Sequence, residues 1–117
     1  MFNTGRFCNS HELIIVAYKT LDYMKISIEA EKHFDVWNIN RDISPCLIAS
    51  FPLELPKRVI HAYENYEDLV VMDCFMGSGT TAQASLEEGR NFIGVEIDKE
   101  YYDYAVNRTR TYQTELI

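Results

Sequence analysis

The 117 residues predict an α/β fold, an incomplete parallel sheet with flanking helices of the Rossmann-like kind. Three observations carry the prediction. From residue 53 onward the hydrophobic period runs helix, strand, helix, strand, helix, which is a repeating βα unit with right-handed crossovers. Both strand candidates, Leu69 to Asp73 and Asn91 to Ile97, are nearly continuous apolar runs of the type buried in parallel sheets. A turn with two glycines, Gly77-Ser78-Gly79, stands where the first strand passes into the next helix, the position at which such sheets bind ligands.

Taken in order, residues 12 to 18, ELIIVAY, form a short aliphatic and β-branched run that reads as a buried strand, with a helical segment left open. Residues 25 to 32, KISIEAEK, and Phe34 to Ile39 alternate apolar and polar, as strands with one wet face do, and NRDISP reads as a turn. From Leu53 the period lengthens: Leu55, Val59, Ile60 and Tyr63 recur at helical spacing, so residues 53 to 65 are expected to be an amphipathic helix with Pro56 in its first turn. Leu69 to Asp73 follows as the first buried strand. Thr80 to Glu88 is a helix that Gly89 ends, because glycine tolerates the left-handed conformation that helix termini favour. Asn91 to Ile97 is the second strand, and a helix from about Lys99 to Tyr112 can turn Tyr101, Ala105 and Val106 toward a sheet.

Composition narrows the function classes. The chain suits one domain but is small for an α/β enzyme, which commonly has ~150 residues or more. No uninterrupted apolar run approaches a membrane span, and the N-terminus lacks the basic-then-apolar order of a secretory signal, so a cytoplasmic protein is expected, with no membrane partner. Cys8, Cys46 and Cys74 are widely spaced and form no CxxC pair, which points to neither a disulfide framework nor a zinc site. The net charge is −7, and residues 51 to 117 hold twelve Asp/Glu against six Lys/Arg. Phosphate neutralisation dominates nucleic-acid affinity, so this chain alone is poorly suited to holding DNA.

The glycine turn carries the chemistry. Gly77 and Gly79 lack Cβ atoms where the chain must turn sharply, and the amides opening the next helix favour an anionic group such as a carboxylate. Glu96, at the tip of the second strand, can accept both hydroxyls of a ribose. Asp73, at the tip of the first, can receive an ammonium directly or through water. Together these groups describe the needs of S-adenosylmethionine. Two other accounts fit the same residues: a tight turn with a capping Asp73 and an ordinary strand-end Glu96, or a dinucleotide loop, since Gly77, Gly79 and Ala82 satisfy G-x-G-x-x-G/A with an acid further on. Loop spacing alone does not separate the two cofactors.

The 36 residues DCFMGSGTTAQASLEEGRNFIGVEIDKEYYDYAVNR resemble the cofactor-binding segment of the DNA amino-methyltransferases that act on the exocyclic nitrogens of adenine or cytosine. The shared pattern is Asp-x-Phe-x-Gly-Ser-Gly-Thr-Thr, a helix of small residues, Gly-Arg, an aromatic, Ile-Gly-x-Glu, and a Tyr-bearing helix ending in Arg; Cys74 stands where the family usually has Pro. Upstream, Phe51-Pro52-Leu53-x-Leu55 resembles the family's other cofactor-contacting segment in members with permuted motif order, although the His that usually precedes it is missing. Arg6-Phe7-x-Asn9-x-His11-Glu12 and Val36-Trp37-Asn38-Ile39 also resemble that upstream region; His11 and Glu12 have no derivable chemistry. The likeness implies one partial methyltransferase domain, with strands in residues 1 to 50 and cofactor-binding βα units in 51 to 117. It implies that Phe51, Pro52 and Leu53 line the adenine or methionine side of S-adenosylmethionine, that Asp73 receives its amino group, and that Gly77, Ser78, Gly79, Thr80 and Thr81 receive its carboxylate. Phe75 belongs to the same set, and Glu96 would take the ribose hydroxyls.

One family feature is missing. The catalytic loop, Asp/Asn/Ser-Pro-Pro-Tyr/Phe, holds the target amino group and stacks on the flipped base. The prolines here are Pro45, Pro52 and Pro56, none of them adjacent, and Ser44-Pro45-Cys46-Leu47 is no substitute. In the permuted order that motif would lie upstream of Met1, so the chain is expected to be a C-terminal, cofactor-binding portion. The strand next to Leu69 to Met72 would then be absent and its edge open, to be covered by a protein partner, by self-association or by the chain's own N-terminal strand. DNA would be reached only through a complete enzyme.

Overall fold

The computed structural model describes residues 11–17, 19, 36–40 and 51–113. Their elements run α1 (Glu54–Ala62), β1 (Val70–Asp73), α2 (Thr80–Glu87), β2 (Asn91–Gly94) and α3 (Lys99–Gln113). β1 and β2 pair in parallel, with Val70 opposite Asn91, Met72 opposite Ile93 and Asp73 opposite Gly94. The α/β class and the order of five elements agree with the sequence reading.

Side-chain size explains the layering. α2 carries Thr80, Ala82, Ala84 and Ser85 on its buried positions, all at or below 4% exposure, and these short side chains let it lie close to the sheet, to α1 and to α3 at once. α1 has Leu53 at its N-cap position, and Pro56 falls in its first turn, where a missing N–H costs nothing because those donors have no helical partner. The helix stops at Ala62, three residues short of the expected end. Arg90 explains this: its guanidinium donates to the carbonyls of Tyr66 (2.8 Å) and Glu64 (3.1 Å), so the chain after Ala62 is held in turns around that cation.

The helix ends follow local chemistry. After α2, Gly89 takes φ +65° and donates to Leu86 O at 3.1 Å while Arg90 N donates to Ser85 O at 2.8 Å, a Schellman closure. α3 opens on Asp98, whose Oδ1 accepts from the amides of Glu100 (2.9 Å) and Tyr101 (3.2 Å). Glu87 ties the three helices together. Its carboxylate pairs with Lys57 of α1 at 2.5 Å, and it accepts from Tyr112 Oη of α3 at 2.6 Å and from Gln83 at 2.7 Å. Partial burial pushes the Glu87 carboxyl up, but the bonds from Lys57, Tyr112 and Gln83 outweigh it and hold its pKa at about 2, against an ordinary 4.5.

Two expectations need correction, the end of the second strand and the N-terminal strands. β2 ends at Gly94 rather than Ile97, because β1 leaves the ladder after Asp73; Val95 N still donates to Asp73 O at 2.9 Å, and Ile97 projects fully into solvent. Ala105 of α3 packs against Gly79 and, with Val106, lines a pocket shared with Phe92 and Gly94 of β2, so this face of the helix does turn toward the sheet while α3 packs on α2. Residues 11–17 and 36–40 form no strand: Leu13 and Ile15 are 86% and 88% exposed, and a strand needs a hydrogen-bonded neighbour that they lack among the described residues. Trp37 is half-buried, with the Arg58 guanidinium 5.8 Å from its ring centroid. Tyr18, the 25 to 32 strand, Phe34 and Asp35, and the NRDISP turn from Arg41 on lie outside the described residues, as do Arg6 to Asn9 and the Ser44 to Leu47 stretch.

The sheet has one covered face and one bare one. Val71 and Phe92 point toward α2 and are half-buried, whereas Val70, Met72, Ile93 and Val95 share the opposite face and are 48–60% exposed. Among the described residues no strand pairs with the outer edge of β1. No helix among them is long and apolar enough to cross a membrane.

Candidate cofactor site

β1 delivers the chain into the loop Cys74 to Gly79 at the carboxyl end of the sheet. Asp73 shapes the exit: its Oδ1 accepts from Phe75 N at 3.0 Å, an Asx turn that reverses the backbone. Its other oxygen makes no bond to the described residues and remains able to accept from an ammonium. Met76 N then donates to Val95 O at 3.0 Å, strapping the loop across the end of β2. Phe75, on the outer side of this turn, is 90% exposed.

The two glycines serve different needs. Gly77 has φ +51° with open space where a Cβ would go, so its role is conformational. Gly79 has φ +82°, and a Cβ there would lie 2.8 Å from Ala105 Cβ, so its role is also to admit α3. The open space at Gly77 leaves its backbone accessible, while the absent Cβ of Gly79 also serves the packing of α3. The loop is bent by Gly77 and clamped from behind at Gly79.

Glu96 lies two residues beyond β2 and reaches back to the loop. Its Oε2 accepts from Gly77 N at 2.8 Å and its Oε1 from Asp98 N at 2.9 Å. A carboxylate offers about four acceptor positions, so two stay available after these bonds. The loop and the acid are thus one constellation, fixed by a direct bond across 19 residues. Ser78 and Thr80 are buried at 5% and 3%, Thr81 is half-buried, and the amides of Ser78, Thr80 and Thr81 donate to no acceptor among the described residues. Unpartnered amides at a helix start form a receptor for a carboxylate.

Phe51, Pro52 and Leu53 precede α1, with Leu55 N donating to Pro52 O at 3.0 Å and Lys57 N to Leu53 O at 3.3 Å. α1 packs on α2, but no hydrogen bond joins these three residues to the loop among the described residues, and Phe51 is 41% exposed. His11 and Glu12 are exposed. Two residues of the constellation entered the family pattern without any role assigned to them. Gly94 admits Met76, whose Sδ would lie 2.3 Å from an added Cβ, and Arg108 bonds the loop from α3. The glycine before Val95-Glu96 and the arginine ending the helix were visible as letters, but their partners are 18 and 30 residues away.

Comparison with known proteins resolves which loop this is. The family model described as DNA methylase matches residues 1–107, and the chain belongs to this family of DNA amino-methyltransferases. It is 48% identical over 64 residues to the Type II methyltransferase M.BglI of Bacillus subtilis, covering 55% of this chain and 18% of that protein. It is 30% identical over 122 residues to the Type II methyltransferase M.XycI of Xanthomonas campestris pv. cyanopsidis, covering 96% of this chain and 40% of that one. Among solved structures, the complex of M1.HpyAVI with SAM superimposes with a TM-score of 0.51 at 37% identity, over 56% of this chain and 32% of that one. The chain therefore spans less than half the length of these relatives. The fold is that of an S-adenosylmethionine-dependent methyltransferase, and the dinucleotide reading of the glycine loop falls away.

Proposed function

We propose that this chain is the S-adenosylmethionine-binding, C-terminal part of a site-specific cytoplasmic DNA amino-methyltransferase, in which methyl transfer to an exocyclic nitrogen of adenine or cytosine needs a catalytic motif from another segment or chain. The observation that carries the reading is the Glu96 to Gly77 bond, which joins a ribose acceptor to a carboxylate receptor in one rigid unit. The donor set fits the cofactor: free amides at Ser78, Thr80 and Thr81 for its carboxylate, the free Asp73 oxygen for its ammonium, and spare Glu96 acceptors for its ribose. Phe51, Pro52, Leu53 and Phe75 supply apolar surface for the adenine or thioether, and Phe51 and Phe75 are exposed enough to do so.

When bound, the cofactor supplies an electrophilic methyl group. The work of this chain is to hold it so that a nitrogen nucleophile can approach in line, which is catalysis by positioning. The 117 residues contain no Pro-Pro-Tyr/Phe run to present a base. The bare face of Val70, Met72, Ile93 and Val95, with the open edge of β1, suits the docking of a protein partner or a second copy that completes the sheet. Residues 1 to 117 would then act as a single partial domain, and DNA would be contacted through the complete enzyme.

The bare sheet face and open strand edge also suit a second reading, a methyltransferase-derived module that binds a partner without turnover. Titration calorimetry separates the possibilities. S-adenosylmethionine and S-adenosylhomocysteine are expected to bind and NAD not to; absence of binding by either sulfur nucleoside would sink the cofactor assignment. Transfer of labelled methyl to DNA by the chain alone would refute the dependence on another segment. Transfer only after adding a chain with the Pro-Pro-aromatic motif would decide against the module.

A further inference from the structure

Arg108 sits on the face of α3 that carries Ala105, one turn away, and this face backs the glycine loop. Its Nε donates to Gln83 Oε1 at 2.5 Å, and its Nη1 donates to Thr80 Oγ1 at 3.1 Å and, at 3.4 Å, to Ser78 O. Every one of these acceptors is a neutral oxygen in the loop or the first turns of α2. Among the described residues Arg108 pairs with no carboxylate. That is unusual for a half-buried guanidinium in a chain of net charge −7. Its planar fork holds the Ser78 carbonyl and the Thr80 hydroxyl, one on each side of Gly79, and so braces the segment that carries the free amides of Ser78, Thr80 and Thr81, with its charge close behind them. A Lys could supply charge but not the fork.

We propose that Arg108 is a positioning residue that sets the glycine loop for the carboxylate end of the ligand from behind, without touching it. The proposal rests on the cofactor reading above and adds to it a residue on the far side of the loop. It separates two parts of one ligand: the amino-acid end depends on Arg108, and the adenosine end, served by Glu96, does not.

The test compares S-adenosylhomocysteine with methylthioadenosine, which keeps the adenine and ribose but lacks the carboxylate. In the full chain, Arg108→Met is expected to weaken S-adenosylhomocysteine about tenfold while methylthioadenosine stays within about twofold, and Arg108→Lys should recover part of the loss. Equal weakening of both ligands would overturn the proposal, since that is what general loosening of the fold would give; so would an unchanged S-adenosylhomocysteine affinity. If thermal melting shows that Arg108→Met does not fold, Gln83→Leu removes one of its anchors and should weaken S-adenosylhomocysteine alone by about threefold; no selective loss would again overturn it. A parent chain that binds neither ligand would instead reject the cofactor reading itself, and this inference with it.

Discussion

The two faces of the β1–β2 sheet are built from the same kinds of residue and meet opposite fates. Val71 and Phe92 lie under α2, while Val70, Met72, Ile93 and Val95 lie on the other side with nothing described over them. In a parallel sheet both faces are ordinarily covered, and an uninterrupted apolar strand is the sequence consequence. The strands here are written for two covers and the described chain provides one. The glycine loop sits on the covered side of this contrast, clamped by α3, and owes its geometry to that packing.

The largest effects are expected on the clamped side. Gly79→Val combines a left-handed φ with a clash against Ala105 and should destabilise by about 3 kcal/mol or more in urea unfolding. Gly77→Ala, at φ +51° with open space around it, should cost only about 1 kcal/mol. If both substitutions cost the same, the assignment of separate roles to the two glycines is wrong.

Next comes the helix junction at Glu87. Its carboxyl is depressed in the folded chain, so its contribution to stability is full above about 4.5 and is lost as pH falls toward about 2. The loss should be about 2 kcal/mol across that window, and Glu87→Gln should flatten the stability profile there. An unaltered acid limb in the variant would show that the Lys57, Tyr112 and Gln83 bonds do not hold in solution.

The bare face should respond least in stability and most in association. Met72→Ser and Ile93→Thr change side chains that are already 60% and 51% exposed, so each should cost no more than about 0.5 kcal/mol in the dilute monomer. The same variants should lower any self-association or partner binding seen by sedimentation. A large stability loss without a change in association would mean that this face is packed within the chain.

The features legible in the sequence were those with a local cause. Helix and strand periods, the Gly89 terminus and the position of the glycine turn need only neighbours in the chain, and each is found within a few residues of expectation. The early end of α1 was not legible, because it depends on Arg90 reaching the Glu64 and Tyr66 carbonyls from beyond β1. Nor was the failure of residues 11–17 to pair, since ELIIVA has strand composition whether or not a neighbour exists. In the site, the acid and the loop were visible separately, but their direct bond was not. The packing role of Gly79 was not legible for the same reason: the atom it makes room for belongs to a helix 26 residues later.

The most direct measurement is the affinity of S-adenosylhomocysteine for the parent chain and for Glu96→Ala by titration calorimetry. The substitution removes the ribose acceptor and the tether on Gly77 together, so the parent should bind and the variant should bind at least about tenfold more weakly. Equal affinity in the two proteins would contradict the claim that the acid and the glycine loop form one cofactor site.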